Sequence, residues 1–210
     1  MSGPAVETRH VVRRAVRADI PALASALTDG FWEDPFLGFI VGDGPRRRER
    51  LERLFVVTLE SLSNGLGDTH TIEGGAGCVV WRRSEECKLS WWRELALIPA
   101  FCRVSGVGRI GELLRVFGHL EALHAQHAPD SHHYLHVIGV ARGEQGRGIG
   151  RSLLEPSLRR FDREGKAAYL ETFNRSNLSF YERLGFRVAA PIEFAPAPRG
   201  WAMRREPNAG

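Results

Sequence analysis

The chain has 210 residues, 43% of them hydrophobic and 26% charged, enough to bury the core of one large domain. Its 29 Lys and Arg against 25 Asp and Glu leave an excess of +4, too small to indicate a nucleic-acid partner. Cys78, Cys87 and Cys102 are an odd number at irregular spacing with no CxxC, which speaks against a disulfide framework or a zinc ribbon. The start carries no apolar leader and no stretch reaches about 18 consecutive apolar residues, so the expectation is a cytoplasmic protein with no membrane partner.

In chain order, "HVVRRAV" alternates as a strand, and "DIPALASALTDGF" follows as a helix that Asp19 caps and Pro21 starts. "FWEDPFLGFIVGDGP" reads as an aromatic, turn-rich connection. "RRRERLERLFVVTLESLSNG" sets Leu51, Leu54, Phe55 and Leu59 on one helical face, with Gly65 to Gly67 as its stop; glutamates alternate into "RRRER", which makes it a solvated helix start. "DTHTIE" and "AGCVVWRR" are strands joined by a Gly-Gly turn. From Ser90 to His127 the pattern is helical, an insertion over about 90–128 in which Trp91 and Trp92 are placed either to pin it to the core, the favoured reading, or to stack on an aromatic substrate. Strand signals then resume in "HHYLHVIGV", followed by a helix in "GIGRSLLEPSLRRFDREG", a strand in "AAYLETF", a short helix in "NRSNLSFYERLG" and two closing strands in "FRVAAPI" and "RGWAMRRE". Such alternation calls for a mixed α/β sheet in a single domain spanning 1–210.

The most informative stretch is "VARGEQGRGIGRSLL", where a strand ends at Val140 and a helix begins inside the glycines. The first-turn amides of a helix lack intrahelical partners and face outward, and the macrodipole favours negative charge there. Phosphate is the guest such a loop suits. Gly146, Gly148 and Gly150 clear Cβ atoms from its path, and Arg147 and Arg151 offer charge-assisted contacts. A dinucleotide fingerprint would need the third glycine one place later, and a Walker loop would end in GK[ST].

"VIGVARGEQGRGIGRSLL" resembles the acetyl-CoA loop of the GCN5-related N-acetyltransferases (GNAT superfamily), whose pattern is [QR]xxGx[GA]; Gln145, Gly148 and Gly150 occupy its fixed positions. The family's second signature is matched by "LETFNRSNLSFYERLGFRV", and Tyr134 to Arg205 is similar, piece by piece, to the puromycin N-acetyltransferase branch. The resemblance implies the α/β GNAT fold: a mixed, mostly antiparallel sheet of about seven strands, splayed in a V between strands 4 and 5 and flanked by helices. It also implies acetyl-CoA as cosubstrate. Ile138, Gly139 and Val140 would pair with the pantetheine arm as though it were an added strand, the loop from Gln145 through Ile149 to Ser152 would hold the pyrophosphate, and Asn174 or Asn177 would bond the pantetheine.

Tyr181 matches the family tyrosine that acts as general acid toward the CoA sulfur. On "HHYLHVIGV" the residues Tyr134, His136 and Ile138 share a face by strand periodicity. His136 is the candidate general base, since "LHVIGV" resembles the strand in which arylalkylamine N-acetyltransferases carry such a histidine. Glu33, Asp34 and Glu171 compete as bases or amine-binding anions, with Phe36 beside them in the acceptor cleft. The histidines from His124 to His136 have no HExxH acid and no nearby cysteine, so no metal is expected. The expectation is acetyl transfer to a primary amine of a small molecule, of antibiotic or xenobiotic type, by a monomer or homodimer. A protein amine as acceptor, or a non-catalytic acyl-CoA sensor, are the alternatives.

Overall fold

The computed structural model describes residues 10–62, 66–87 and 105–208. Seven strands form one sheet in the order β1-β2-β3-β4-β5-β7-β6: β1 Val12–Arg14, β2 Asp68–Ile72, β3 Gly77–Arg83, β4 His132–Val140, β5 Ala167–Thr172, β6 Arg187–Ile192 and β7 Gly200–Arg205. Every neighbouring pair is antiparallel except β4 and β5, which are parallel. That parallel pair is joined by the long helix α6, Ile149–Glu164, the crossover a parallel connection requires. The other helices are α1 Ile20–Gly30, α2 Pro35–Val41, α3 Arg47–Val57, the single turn α4 Ser84–Cys87, α5 Ile110–His127 and α7 Leu178–Glu182.

The two faces of the sheet bury separate cores. One lies under α1, α2, α3 and the start of α5, and holds Leu23, Leu27, Ile40, Leu51, Phe55 and Val80. The other lies under α6 and α7 and holds Trp81, Leu135, Leu153, Phe161, Tyr181 and Phe186. Glycine lets the first layer close down on β4: a Cβ on Gly139 would stand 2.6 Å from Leu27, and one on Gly30 would stand 2.5 Å from the Val140 carbonyl oxygen. On the second layer Arg205, 4% exposed, donates to both Asp162 oxygens at 2.7 and 2.8 Å, tying β7 to α6.

Two details differ from the sequence reading. The segment "FWEDPFLGFIV" contains a helix, α2, which Asp34 caps through the amides of Phe36 and Leu37 and Pro35 begins. Asp19 does not cap α1 with its side chain; its carboxylate turns back to the Val16 amide and forms two bonds with Arg13 at 2.7 and 2.8 Å. Trp91, Trp92, Cys102 and the first half of the helical insertion lie outside the described residues. Among those described, no helix is long and apolar enough to cross a membrane.

Candidate active site

The site begins where β4 and β5 part. They pair only at His132, His133 and Tyr134 with Ala167, Ala168 and Tyr169; beyond Tyr134 no β5 residue pairs with β4, and the sheet opens into a V. A β-bulge makes the opening asymmetric. Against β3, Leu135 pairs with Trp81 and Val137 with Val80, so His136 is an extra residue on β4. Below it Leu135 packs with the α6 core; above it Val137 packs with the α1 core, and Ile138 and Val140 with the α6 core. The alternation has flipped. Tyr134 and His136 remain neighbours, their rings 5.8 Å apart, but Ile138 points to the opposite layer and does not share their face as strand periodicity predicts.

The arm of the V on the β4 side ends in the glycine loop. Gly146 and Gly148 have φ of +78° and +81°, a region that side chains with a Cβ enter at a cost, and Gly148 stands as N-cap of α6 with no side-chain cap. The first α6 amides are therefore left for an external acceptor. Gly150 serves packing, since a Cβ there would lie 3.3 Å from the Phe180 ring. Ile149 is buried and Ser152 half-buried in the first turn. Arg147 pairs with Glu144 at 2.9 Å and Arg151 with Glu155 at 2.5 Å, both exposed, so each guanidinium can exchange a surface carboxylate for a phosphate at small cost. Gln145 folds inward, its amide nitrogen donating to the Val140 carbonyl at 3.0 Å. His10 and Asp29, which the sequence did not flag, brace the loop through the Arg147 carbonyl and the Arg142 amide.

The other arm leads from β5 to α7. Asn174 accepts from the amide and hydroxyl of Ser176, capping the turn that positions α7, and Asn177 immediately precedes that helix. Tyr181 is buried among the α6 core, its ring 5.2 Å from Phe180 and 5.9 Å from Phe186. Burial, and then the negative charge of Asp34, push its phenol well above the usual range, so it stays protonated. Asp34 therefore faces Tyr181 from the α2 side. Its own carboxyl is raised by burial, against the two amide bonds and Arg47 that favour its charge. Glu33 is elsewhere: it is exposed and paired with Arg142 at 2.5 Å.

At the fork of the V sits Glu171, on the face that Tyr134 and Tyr169 share. Burial lifts its carboxyl to about 7, although the Tyr134 hydroxyl donates to it and Tyr169 lies close. The Tyr169 hydroxyl finds no partner of regular hydrogen-bond geometry, so Tyr134 is the firm contact. His136 is pushed down to about 4, first by burial and then by Arg82, and its Nδ1 is buried without a hydrogen-bond partner. Phe36 stacks on Phe173 with centroids 4.0 Å apart and planes 7° from parallel, and meets Phe117 edge-on at 6.2 Å. Glu171 and Phe36 are thus brought to one side of the sheet, with His136 across the fork. Tyr134, Tyr169, Phe117 and Phe173 complete that group; periodicity marks them only as strand or helix residues.

The remaining histidines are engaged with each other and with the scaffold. His124 Nε2 lies 2.7 Å from His132 Nε2, and His133 Nε2 lies 2.9 Å from Glu164. Among the described residues no group of three or more His, Cys, Asp or Glu could hold a metal ion.

The sheet is mixed and splayed between its parallel pair, with uncapped helix amides at the tip of one arm and a buried phenol on the other. Residues 78–186 match the acetyltransferase (GNAT) family, and the chain belongs to that family. An uncharacterized N-acetyltransferase of Schizosaccharomyces pombe is 27% identical over 184 residues, covering 83% of this chain and 73% of the relative. A mycothiol acetyltransferase of Streptomyces avermitilis is 36% identical over 81 residues, 37% of this chain and 25% of its own. Among solved structures, a Corynebacterium glutamicum protein described as histone acetyltransferase HPA2 and related acetyltransferase superposes with a TM-score of 0.71 at 21% identity, covering 97% of this chain and 99% of its own. Arylalkylamine N-acetyltransferase 2 of Aedes aegypti gives 0.62 at 16% identity, covering 94% and 99%. These likenesses support the fold; the family is an acetyltransferase family with acetyl-CoA as cosubstrate.

Proposed function

We propose that the protein transfers the acetyl group of acetyl-CoA to the primary amine of a small molecule, in the cytoplasm, within one catalytic domain. The observation that carries this reading is the V between β4 and β5, with Gly146 and Gly148 in left-handed conformations at one tip and Tyr181 buried at the other. The edge of β4 at Ile138, Gly139 and Val140, which no β5 residue pairs, takes the pantetheine, and the amides from Gln145 to Ser152 take the pyrophosphate, with Arg147 and Arg151 at its flanks. Asn174, whose side-chain oxygen is spent on Ser176, offers its amide hydrogens to the pantetheine, and Asn177 stands beside it.

Tyr181 gives its proton to the sulfur as the thiolate leaves. Burial keeps the phenol protonated until the sulfur develops charge, and a bare thiolate is disfavoured in the same apolar surroundings. On the acceptor side stand His136 and the carboxylates Asp34 and Glu171. The similarity of Tyr134 to Arg205 to the puromycin N-acetyltransferase branch supports an acceptor of antibiotic or xenobiotic type.

The test is an acetyl-transfer screen over small amines, puromycin and peptide amines, run with calorimetry for CoA. Binding of CoA with turnover of small amines is the expected result. Turnover of peptide amines alone would move the acceptor to proteins, and binding of acetyl-CoA with no transfer would make the chain a sensor.

A further inference from the structure

We propose that Glu171 is the seat of the acceptor's ammonium group and the base that deprotonates it, and that the acceptor carries this amine on an apolar or aromatic body resting on Phe36, Phe117 and Phe173. The inference rests on reading the V as the acetyl-transfer site. It goes further in choosing one residue among the competing groups and in fixing the acceptor's chemistry.

The four candidates are in different situations. Glu33 is exposed and already neutralised by Arg142. Asp34 is spent as a helix cap, with two backbone amides on one oxygen. His136, its basicity lowered by burial and by Arg82, is a poor sink for the proton of an alkylammonium. Glu171 stands at the fork, held by one phenol, and no cationic side chain among the described residues pairs with it. A half-buried carboxylate with no cation costs free energy that a cationic ligand would recover in part. Its raised pKa, near working pH, is what general-base transfer favours.

The surrounding wall is apolar. Phe36 and Phe173 stack face to face, two residues along the chain from Asp34 and Glu171 respectively, which by strand alternation puts Phe173 on the face of β5 that carries Glu171, and Phe117 meets Phe36 edge-on. An ammonium with a long polar tail would desolvate that wall without return, whereas an arylalkyl or branched alkyl body gains area burial and ring contact.

The step balances as follows. The ammonium gives one proton to Glu171, and the free amine attacks the thioester carbonyl. The C–N bond forms as the C–S bond breaks. The sulfur takes a proton from Tyr181, which is restored by the second proton shed from nitrogen, and Glu171 returns its own to solvent. The products are the amide, CoA and one proton.

The experiment uses the whole chain with acetyl-CoA and three probes: 2-phenylethylamine, n-butylamine and 1,4-diaminobutane. The groups around Glu171 that could colour a pH profile are Tyr134 and Tyr169 on the strands, His124 on α5, whose ring stacks on Tyr169, and His136 at the bulge, whose ring meets Tyr134 and whose basicity Arg82 lowers. We expect kcat/KM for 2-phenylethylamine to exceed that for 1,4-diaminobutane by tenfold or more, and Phe36→Ala to erase most of that ratio. Glu171→Gln should raise KM tenfold or more and remove a rising limb near pH 7, while His136→Ala keeps that limb. Tyr134→Phe removes a bond that favours the carboxylate and should move the limb to higher pH, which a purely structural role would not do. An unchanged limb and KM in Glu171→Gln would overturn the proposal, as would preference for the diamine or no transfer to any probe by a chain that still binds CoA. Loss of CoA binding by the unaltered chain would instead overturn the donor-site reading, and the two failures are separable by calorimetry.

Discussion

The two arms of the V are built from different materials. The β4 arm, from above the bulge through the loop to α6, which we propose as the donor side, is mainly backbone: uncapped amides, left-handed glycines, and a strand edge without a partner strand. The face at the fork, which we propose as the acceptor side, is side chains gathered from α2, α5, β4 and β5: Phe36, Phe117, His136 and Glu171. A backbone site can be written in a short contiguous motif and suits an invariant ligand. A side-chain site is distributed over the chain and can be retuned one residue at a time without disturbing the first.

That division can be tested by perturbing each arm alone. The largest effect is expected for Tyr181→Phe on the β5 arm: turnover should fall about 10²- to 10⁴-fold, the usual worth of a positioned acid, with CoA affinity by calorimetry nearly unchanged. Next comes Gly139→Ala, which forces a methyl to 2.6 Å from Leu27 and should cost about 1–3 kcal/mol in denaturant unfolding by overpacking. Gly148→Ala should cost about 1–2 kcal/mol for a Cβ at φ +81° and should weaken CoA binding while leaving the wild-type preference among amines intact. A changed amine preference in that variant would break the division.

The smallest effect lies away from both arms. Asp19 is lowered to about 2, chiefly by its bond with Arg13 and then by the Val16 amide. A depressed carboxylate stabilises the fold above its unfolded pKa of about 4, and that contribution drains as pH falls toward 2. Screening at this exposed pair keeps it below about 1 kcal/mol. In acid titrations Asp19→Asn should flatten stability between pH 4 and 2, with the amine preference untouched.

The same division explains what could be read in advance. The glycines between Gln145 and Gly150 announce a turn with positive φ and a helix start because those requirements are local. The seven strands and their order-setting crossover follow from periodicity and from the one long helix between β4 and β5. Helix α2 escaped because its aromatic residues resemble a loop lining, although Asp34 before Pro35 is a start signal. The grouping of Tyr134, His136 and Ile138 failed for a non-local reason. Whether a strand carries an extra residue is decided by its pairing with β3, and nothing in "YLHVIGV" marks where the count slips. The proximity of Phe36 to Phe173 spans most of the chain and was likewise invisible.

The bulge at His136 also constrains how the chain can change length. Deleting one residue there would turn the rest of β4 over, presenting a side chain where Gly139 now admits Leu27 and Phe31, so the packing of α1 would reject the shortened strand. Insertions and deletions are thus barred from the fork itself, and sequence change around it is channelled into substitutions.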